Sequence, residues 1–200
     1  MDNYRLMMED ARRRFTQYDI DSLLEKNGVE SDGECLYTQF LGQTVRIEKA
    51  TGHITLDGRE ADFGESLSIY DWLCDRKPDA AASSEFCQVS SLSGVYVSGS
   101  GLSLSFDVLA KKIHHAPELF LDVCRRLGGE ATELGDLGIR LNVFPDLPMC
   151  IKFYYGDEEF PPSLTLLWNS NILCFVRYET VYYIAGCLGK RLAGLMDAGW

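Results

Sequence analysis

Three consecutive carboxylates lie in the stretch GDEEFPPS, residues 156–163, between two apolar runs. Asp157, Glu158 and Glu159 could coordinate a hard cation or bind a cationic group, because clustered carboxylates supply oxygen ligands. Three adjacent acids point in different directions, however, whereas a cation site of six or more oxygens needs ligands that converge. The same residues also fit a turn, since the glycine permits chain reversal and the first proline keeps the residue before it extended. The residues favour the turn, and the binding interpretation stays open beside it.

Two basic residues complete this candidate site in the predicted register of the neighbouring strands. Arg140 and Lys152 fall on the outward faces of those strands, because successive side chains of a strand point to opposite sides. There they could pair with the acids or receive an anionic ligand. An enzyme would gather one of these acids with one of these cations or with a histidine in one pocket. The candidate ligand-binding residues are Asp157, Glu158, Glu159, Arg140 and Lys152, whereas catalytic residues and cofactors are not identifiable from the sequence.

The other reactive residue types form no catalytic or metal-binding pattern. His114 and His115 are adjacent, so they cannot both face one metal from the same helix, and His53 stands alone in a predicted hairpin. The glycine-rich stretch GVYVSGSG, residues 94–101, fits neither GxGxxG nor GxxxxGK[ST]. We interpret it as a turn before a helix, and Ser100 lacks the GxSxG setting of a nucleophile. No metal site is predicted.

Seven cysteines occur in the chain, an odd number, without a CxxC pair. Their spacing excludes the local patterns of zinc sites and redox motifs. Most have apolar neighbours, and a reduced thiol in such surroundings behaves as a small buried hydrophobe. We therefore expect free, structural cysteines in a reducing compartment, which an anaerobic source would also tolerate.

The composition is that of an acidic chain that can bury a large core. With 200 residues, 46% of them hydrophobic, residues 1–200 are predicted to form one domain. The formal net charge of −11 disfavours binding to nucleic acid or anionic lipid. No apolar run approaches the ~20 residues of a membrane helix, and the N-terminal residues lack the apolar segment of a secretory signal. We expect a cytoplasmic protein that binds neither nucleic acid nor membrane.

The elements that must position the candidate residues are helices and two groups of strands. Helical spacing of apolar residues, with Asp19 as an N-cap and Pro117 at a helix start, predicts about five helices. Residues 12–14, three arginines, are predicted to lie on the solvated face of the first helix. A meander near 35–58 and a hairpin-containing sheet near 138–168 follow from alternation and turn residues. The predicted fold class is α+β, with small antiparallel sheets packed against the helices.

The stretch LNVFPDLPMCIKFYYGDEEFPPSLTLLWNSN resembles a bacterial and archaeal family known as domain of unknown function 3786. The resemblance is strongest at Leu141–Asn169 and extends more faintly over most of the chain. Relatives usually end the last strand of this stretch in Leu-Phe-Asp, where this chain has Leu167-Trp168-Asn169. A role of that acid as a metal ligand or base would therefore not carry over to this chain.

The resemblance also implies a context, because some members of the family are fused to a four-cysteine iron–sulfur domain of the type found in corrinoid and electron-transfer proteins of anaerobes. This chain lacks that cysteine set, so the cluster is not inherited. The resemblance implies a non-catalytic accessory or ligand-binding domain of anaerobic metabolism, acting beside a redox or corrinoid-linked protein. One alternative is an enzyme that uses the acids of residues 157–159. Another is a purely structural interaction module, for which an exposed aromatic patch would be the mark.

Overall fold

The computed structural model describes residues 3–25, 28–92 and 101–199, and this part of the chain forms six α-helices and ten strands. The helices are α1 (Asn3–Thr16), α2 (Ile20–Leu24), α3 (Phe63–Cys74), α4 (Gly101–His115), α5 (Pro117–Arg126) and α6 (Tyr178–Asp197). The first sheet contains β1 (Glu30–Ser31), β2 (Cys35–Phe40), β3 (Gln43–Glu48), β4 (Ile54–Leu56) and β5 (Arg59–Glu60). The second contains β6 (Phe86–Cys87), β7 (Glu130–Thr132), β8 (Leu137–Phe144), β9 (Leu147–Tyr154) and β10 (Ser163–Asn169). The predicted α+β class is confirmed.

The first sheet is the predicted meander, extended at each end by a two-residue strand in the order β1-β2-β3-β4-β5. Val45 and Ile47 of β3 pair with Leu56 and Ile54 of β4, and all four side chains are buried on one face. A two-residue turn, Leu41-Gly42, joins β2 to β3 with both residues at positive φ. Leu41 is buried there, and its amide donates to the carbonyl of Val143 in β8, at 2.9 Å. This contact links the two sheets.

The second sheet has the strand order β6-β10-β9-β8-β7 and is antiparallel throughout. Its β8–β9 hairpin turns at Pro145-Asp146, so β9 begins at Leu147. The stretch GDEEFPP connects β9 to β10, as predicted. The inner face of the sheet, which carries Ile151 and Phe153, packs against the helices.

The core is one hydrophobic cluster that includes residues from Ala11 to Met196. Trp72 of α3 is fully buried and stacks on Phe144 of β8, with ring centroids 4.5 Å apart and planes within 4°. Phe144 in turn contacts Phe40 of β2 at a centroid distance of 5.0 Å. These three rings connect the central helix to both sheets. No helix within the described ranges is long and apolar enough to cross a membrane.

The structure differs from the sequence-based predictions at three places. Arg14 does not lie on a solvated face, because its guanidinium reaches across to Asp75 at 2.9 Å and to Asp71 at 3.2 Å on α3. Two short edge strands form outside the predicted sheets, β1 within residues 29–34 and β6 at Phe86–Cys87. Residues 94–100 of the glycine-rich stretch lie outside the described residues.

Candidate functional site

Asp157 has a structural role in the connection between β9 and β10. Its Oδ1 accepts hydrogen bonds from the amides of Glu159 and Phe160, both at 2.8 Å. Its own amide donates to the carbonyl of Phe160 at 2.9 Å. The amides that bond its carboxylate lower the pKa of Asp157, since they stabilise the ionised form. This acid therefore closes a local turn, and its Oδ1 already accepts two hydrogen bonds from the backbone.

The other candidate residues are not gathered into one site. Glu158 and Glu159 are exposed, and no ion pair between described residues includes either of them or Asp157. The register confirms that Arg140 and Lys152 lie on the same outward face, opposite Cys150 and Gly138 respectively. The Lys152 ammonium lies 5.2 Å from the centroid of the Tyr154 ring. None of these five residues lines either of the two clefts described below.

Exposed aromatic rings surround the acidic connection. Phe160 is 67% exposed, Tyr154 45% and Tyr155 41%. The amide of Gly156 donates to Nδ1 of His114 at 3.3 Å, and the rings of His114 and Tyr155 are 5.9 Å apart. Tyr154 and Tyr155 are therefore surface residues on different faces of the sheet. Tyr154 shares the outward face of β9 with Lys152, whereas Tyr155 contacts Phe153 on the other face, with ring centroids 5.2 Å apart.

Asn169, at the end of β10, is fully buried and uses both ends of its amide. Its Oδ1 accepts from the amide of Ser83 at 3.0 Å and from that of Asn171 at 3.2 Å. Its Nδ2 donates to the carbonyl of Ser83 at 2.8 Å. The side chain therefore fastens the segment before β6 to the end of β10, a role that needs a donor as well as an acceptor.

Asn169→Asp is expected to lower the free energy of unfolding by about 1–3 kcal/mol at neutral pH. A carboxylate cannot donate to the carbonyl of Ser83, which would lose its partner beside a buried charge. Urea denaturation would measure the loss. Asn171→Asp is the matched control, because Asn171 is exposed and its side chain donates only one hydrogen bond, to the carbonyl of Ala81 at 3.1 Å. Equal stability of Asn169→Asp and the wild type would contradict the structural role.

An apolar cleft of about 350 Å³ lies between β10 and α6. Trp168, Val181 and Ala185 are buried, and Leu164 and Leu166 are half-buried. The full lining consists of Gln88, Val89, Ser90, Phe106, Leu164, Thr165, Leu166, Trp168, Val181, Tyr182 and Ala185. This size falls in the range of about 300–1,000 Å³ that is usual for small-molecule sites.

The polar groups of this apolar cleft are hydroxyls and amides. They belong to Gln88, Ser90, Thr165 and Tyr182. The hydrogen bond between the hydroxyls of Tyr182 and Tyr178 raises the pKa of Tyr182 to about 12. Its phenol therefore stays neutral at physiological pH and can only donate or accept hydrogen bonds. Among the described residues, the lining includes no carboxylate, amine, imidazole or thiol, the side chains that perform most general acid–base and nucleophilic catalysis.

A pair of carboxylates, Asp71 buried and Asp75 half-buried, lies elsewhere, at the junction of α1, α3 and α6. Burial and the neighbouring Asp75 raise the pKa of Asp71, whose Oδ2 accepts from the hydroxyl of Thr180. Burial alone would raise the pKa of Asp75, but hydrogen bonds from Asp71 and Arg14 outweigh it, and the pKa is lowered. Arg177 also pairs with Asp75, at 2.8 Å. Neither carboxylate lines a cleft described here, so the pair serves to hold three helices together.

Within the described ranges, no three histidine, cysteine, aspartate or glutamate side chains lie close enough together to hold a metal ion. Burial raises the pKa of the Cys124 thiol and of the Cys187 thiol to about 12. Both side chains therefore stay protonated, and a protonated thiol is a poor nucleophile and ligand.

Sequence reasoning missed the apolar cleft because its lining residues are scattered from position 88 to position 185. Each of them fits an ordinary core pattern on its own element. Only the packing of α6 beside β10 brings them together. Trp168 is buried with the core, but it also lines the cleft.

One comparison with known proteins gives a match. A family model described as "Domain of unknown function (DUF3786)" matches residues 19–191. No curated protein and no solved structure matches the chain.

Proposed function

The chain belongs to the family called domain of unknown function 3786, and we propose that it is a non-catalytic ligand-binding domain whose site is the apolar cleft. The observation that carries this proposal is the lining of the cleft, which is mostly apolar and includes a few neutral hydrogen-bonding groups. Such a lining stabilises an apolar ligand by burial and orients it by a few polar contacts. It offers no group with which to transform that ligand.

The ligand that fits this cleft is a small, uncharged and largely apolar molecule with one hydrogen-bonding group. The buried faces of Trp168 and Val181 would contact its apolar part. The neutral phenol of Tyr182 would bond its polar group. A cytoplasmic accessory role in anaerobic metabolism, beside a redox or corrinoid-linked protein, completes the proposal and is supported by the family association alone.

Binding of an uncharged fluorescent dye, N-phenylnaphthylamine, is expected to saturate at one dye per chain. Ala185→Leu should raise the dissociation constant at least about tenfold, which is a loss of about 1.4 kcal/mol of binding free energy. The longer side chain occupies the cleft while keeping its surface apolar. Fluorescence titration measures both quantities. Native mass spectrometry and an absorption spectrum of protein purified without oxygen would identify a ligand that is retained from the cell.

Neighbouring leucines of β10 provide the matched control for this titration. Leu166 lines the cleft, whereas Leu167 points to the opposite face of the sheet, and both are half-buried. Leu166→Gln should therefore reduce dye binding, and Leu167→Gln should leave it unchanged. Equal effects of the two variants, or tight dye binding by Ala185→Leu, would place the dye elsewhere and refute the cleft as the site.

A second function, protein interaction, is favoured by the exposed aromatic rings of Tyr154, Tyr155 and Phe160 around the connection between β9 and β10. Large exposed rings next to charged residues are typical of protein-binding surfaces. Glu158 and Glu159 would then meet a basic partner, and Arg140 and Lys152 would contribute on the outward face of the sheet. In this version the acids act as binding residues, and dye binding to the cleft would be incidental to function.

A further inference from the structure

A second cleft, of about 280 Å³, lies on another face of α6 and has charged walls. It is formed where β3, β5 and the start of α3 meet the C-terminal half of α6. The lining consists of Gln43, Arg59, Asp62, Glu65, Cys187, Lys190, Arg191, Gly194 and Leu195. Neither the family assignment nor the ligand-binding proposal explains this charged cleft.

Two acids and two bases in the charged cleft satisfy one another. The guanidinium of Arg59 holds both oxygens of Glu65, one of them at 2.8 Å. Glu65 also accepts from the amide of Asp62, and Asp62 accepts from the amide of Glu65, which is the capping box that begins α3. The ammonium of Lys190 bonds Asp62 at 3.2 Å. These four side chains therefore have little charge left for a ligand.

Arg191 is the cation whose partners are incomplete. Its Nε donates to the carbonyl of Leu41 at 3.2 Å. Its nearest carboxylate, Asp57, lies 4.0 Å away, beyond hydrogen-bonding distance. The oxygens of Asp57 already accept from the side chain of Gln43 at 3.1 Å and the amide of Thr44 at 2.9 Å. The terminal nitrogens of Arg191 thus have no hydrogen-bond partner among the described residues.

The Arg191 guanidinium is also partly buried, so water does not fully replace the missing hydrogen-bond partners. The side chain of Arg191 is 23% exposed, and burial lowers the pKa of its guanidinium even though Asp57 attracts the charge. A guanidinium that has lost part of its hydration without gaining a hydrogen-bonded anion binds an added anion more strongly than a fully solvated one does.

We propose that Arg191 anchors a binding site for a small monocarboxylate in the charged cleft. A planar carboxylate matches the two terminal nitrogens of a guanidinium in a bidentate pair. A phosphate dianion fits less well, because the carboxylate of Asp57, 4.0 Å from Arg191, would repel its second charge. The site is separate from the apolar cleft, and its existence does not depend on the function proposed above.

Gly194 provides a way to close the charged cleft without removing Arg191. It lies on α6 one turn after Arg191, and a Cβ added to it would meet no atom within 4 Å. Gly194→Leu can therefore fold without a clash while its side chain occupies the cleft. Gly186 on the same helix is equally open and lies outside the charged cleft, so Gly186→Leu is the matched control.

The test is a titration with sodium acetate and sodium benzoate, followed through the Nε–H resonance of Arg191 and through Tm. Sodium chloride at equal ionic strength and sodium phosphate are the reference salts. In the wild type and Gly186→Leu, we expect a saturable shift of the resonance and a rise in Tm with the carboxylates. Gly194→Leu should weaken carboxylate binding at least tenfold, and Arg191→Gln should abolish the rise in Tm.

Three outcomes would overturn the proposal. The first is the absence of any saturable shift up to about 10 mM carboxylate, well above the ~1 mM dissociation constant of a weak small-molecule site. The second is an equal shift with chloride, which means that any anion screens the guanidinium. The third is unchanged carboxylate binding in Gly194→Leu, which means that the ligand does not occupy the cleft. Each of these leaves dye binding to the apolar cleft unaffected, so the two proposals fail separately.

Discussion

Trp72→Ala is expected to lower the free energy of unfolding by about 3–5 kcal/mol. The indole is fully buried, stacks on Phe144 at 4.5 Å and donates from Nε1 to the carboxylate of Asp146 at 3.3 Å. Alanine would leave a cavity between α3 and β8 and would remove the ring through which both sheets contact the central helix. Urea denaturation monitored by far-ultraviolet circular dichroism would give the difference, with an unchanged slope if only the native state is affected.

Two variants test whether the loss comes from packing at this position. Trp72→Phe keeps an aromatic ring on Phe144 and loses only volume and one hydrogen bond, so it should cost clearly less than alanine. Tyr154→Ala removes a ring that is 45% exposed and should change stability by no more than about 0.5 kcal/mol. If Trp72→Ala were as mild as Tyr154→Ala, the stacked contact would not be what joins the layers.

Asp146→Ala should cost a similar amount, about 3–5 kcal/mol, because it leaves a buried charge without its partner. Arg76 and Asp146 form an ion pair whose side chains are 9% and 13% exposed. The same guanidinium donates to the carbonyl of Ala80 at 3.0 Å and lies 4.9 Å above the ring of Phe175. Without Asp146, this cation stays enclosed between the end of α3 and the β8–β9 turn.

A double-mutant cycle separates the value of this ion pair from the penalty of breaking it. In the double variant Arg76→Met with Asp146→Ala, no charge remains buried, and methionine still covers the ring of Phe175. We expect the double variant to be more stable than Asp146→Ala alone. If the double variant instead lost the sum of the free energies that the two single variants lose, the two side chains would contribute independently. The unpaired charge of Arg76 would then not explain the loss in Asp146→Ala.

The sequence predicted the elements whose patterns are long enough to be recognised. In β3 and β4, Val45, Ile47, Ile54 and Leu56 alternate with polar residues because one face of a half-buried strand meets the core. The Asp19 cap and the Pro117 start locate two helices because each supplies a specific backbone requirement at a helix N-terminus. The family resemblance, strongest at Leu141–Asn169, is confirmed by the match over residues 19–191.

The shortest strands and both clefts could not be predicted in this way. Strands β5 and β6 have two residues each, too few to show alternation, and they exist because a neighbouring strand offers hydrogen bonds. The charged cleft depends on pairs such as Asp57 with Arg191, which are far apart in the chain. No sequence pattern near Arg191 indicates that its terminal nitrogens lack hydrogen-bond partners among the described residues. The single domain predicted for residues 1–200 remains a prediction.

The stretch at 156–163 was only partly explained by its turn chemistry. The sequence predicted a connection between antiparallel strands, which is confirmed, and the glycine and prolines suit it. Asp157 is explained by its two bonds to backbone amides. Glu158 and Glu159 have no structural partner of this kind, and the exposed ring of Phe160 beside them is what the sequence did not predict.

These two glutamates have a consequence for self-association that follows from the edge of the second sheet. Within the described ranges, β6 pairs only with Trp168 and Asn169, the last two residues of β10, so the stretch of β10 before them has no strand on that side. An open strand edge with apolar side chains is a template on which a second copy of the chain could add a strand. The two negative charges and two prolines at the start of this edge make such pairing costly by repulsion and by the loss of a backbone donor. The surplus acidity of the connection thus protects an edge against aggregation, whatever it binds.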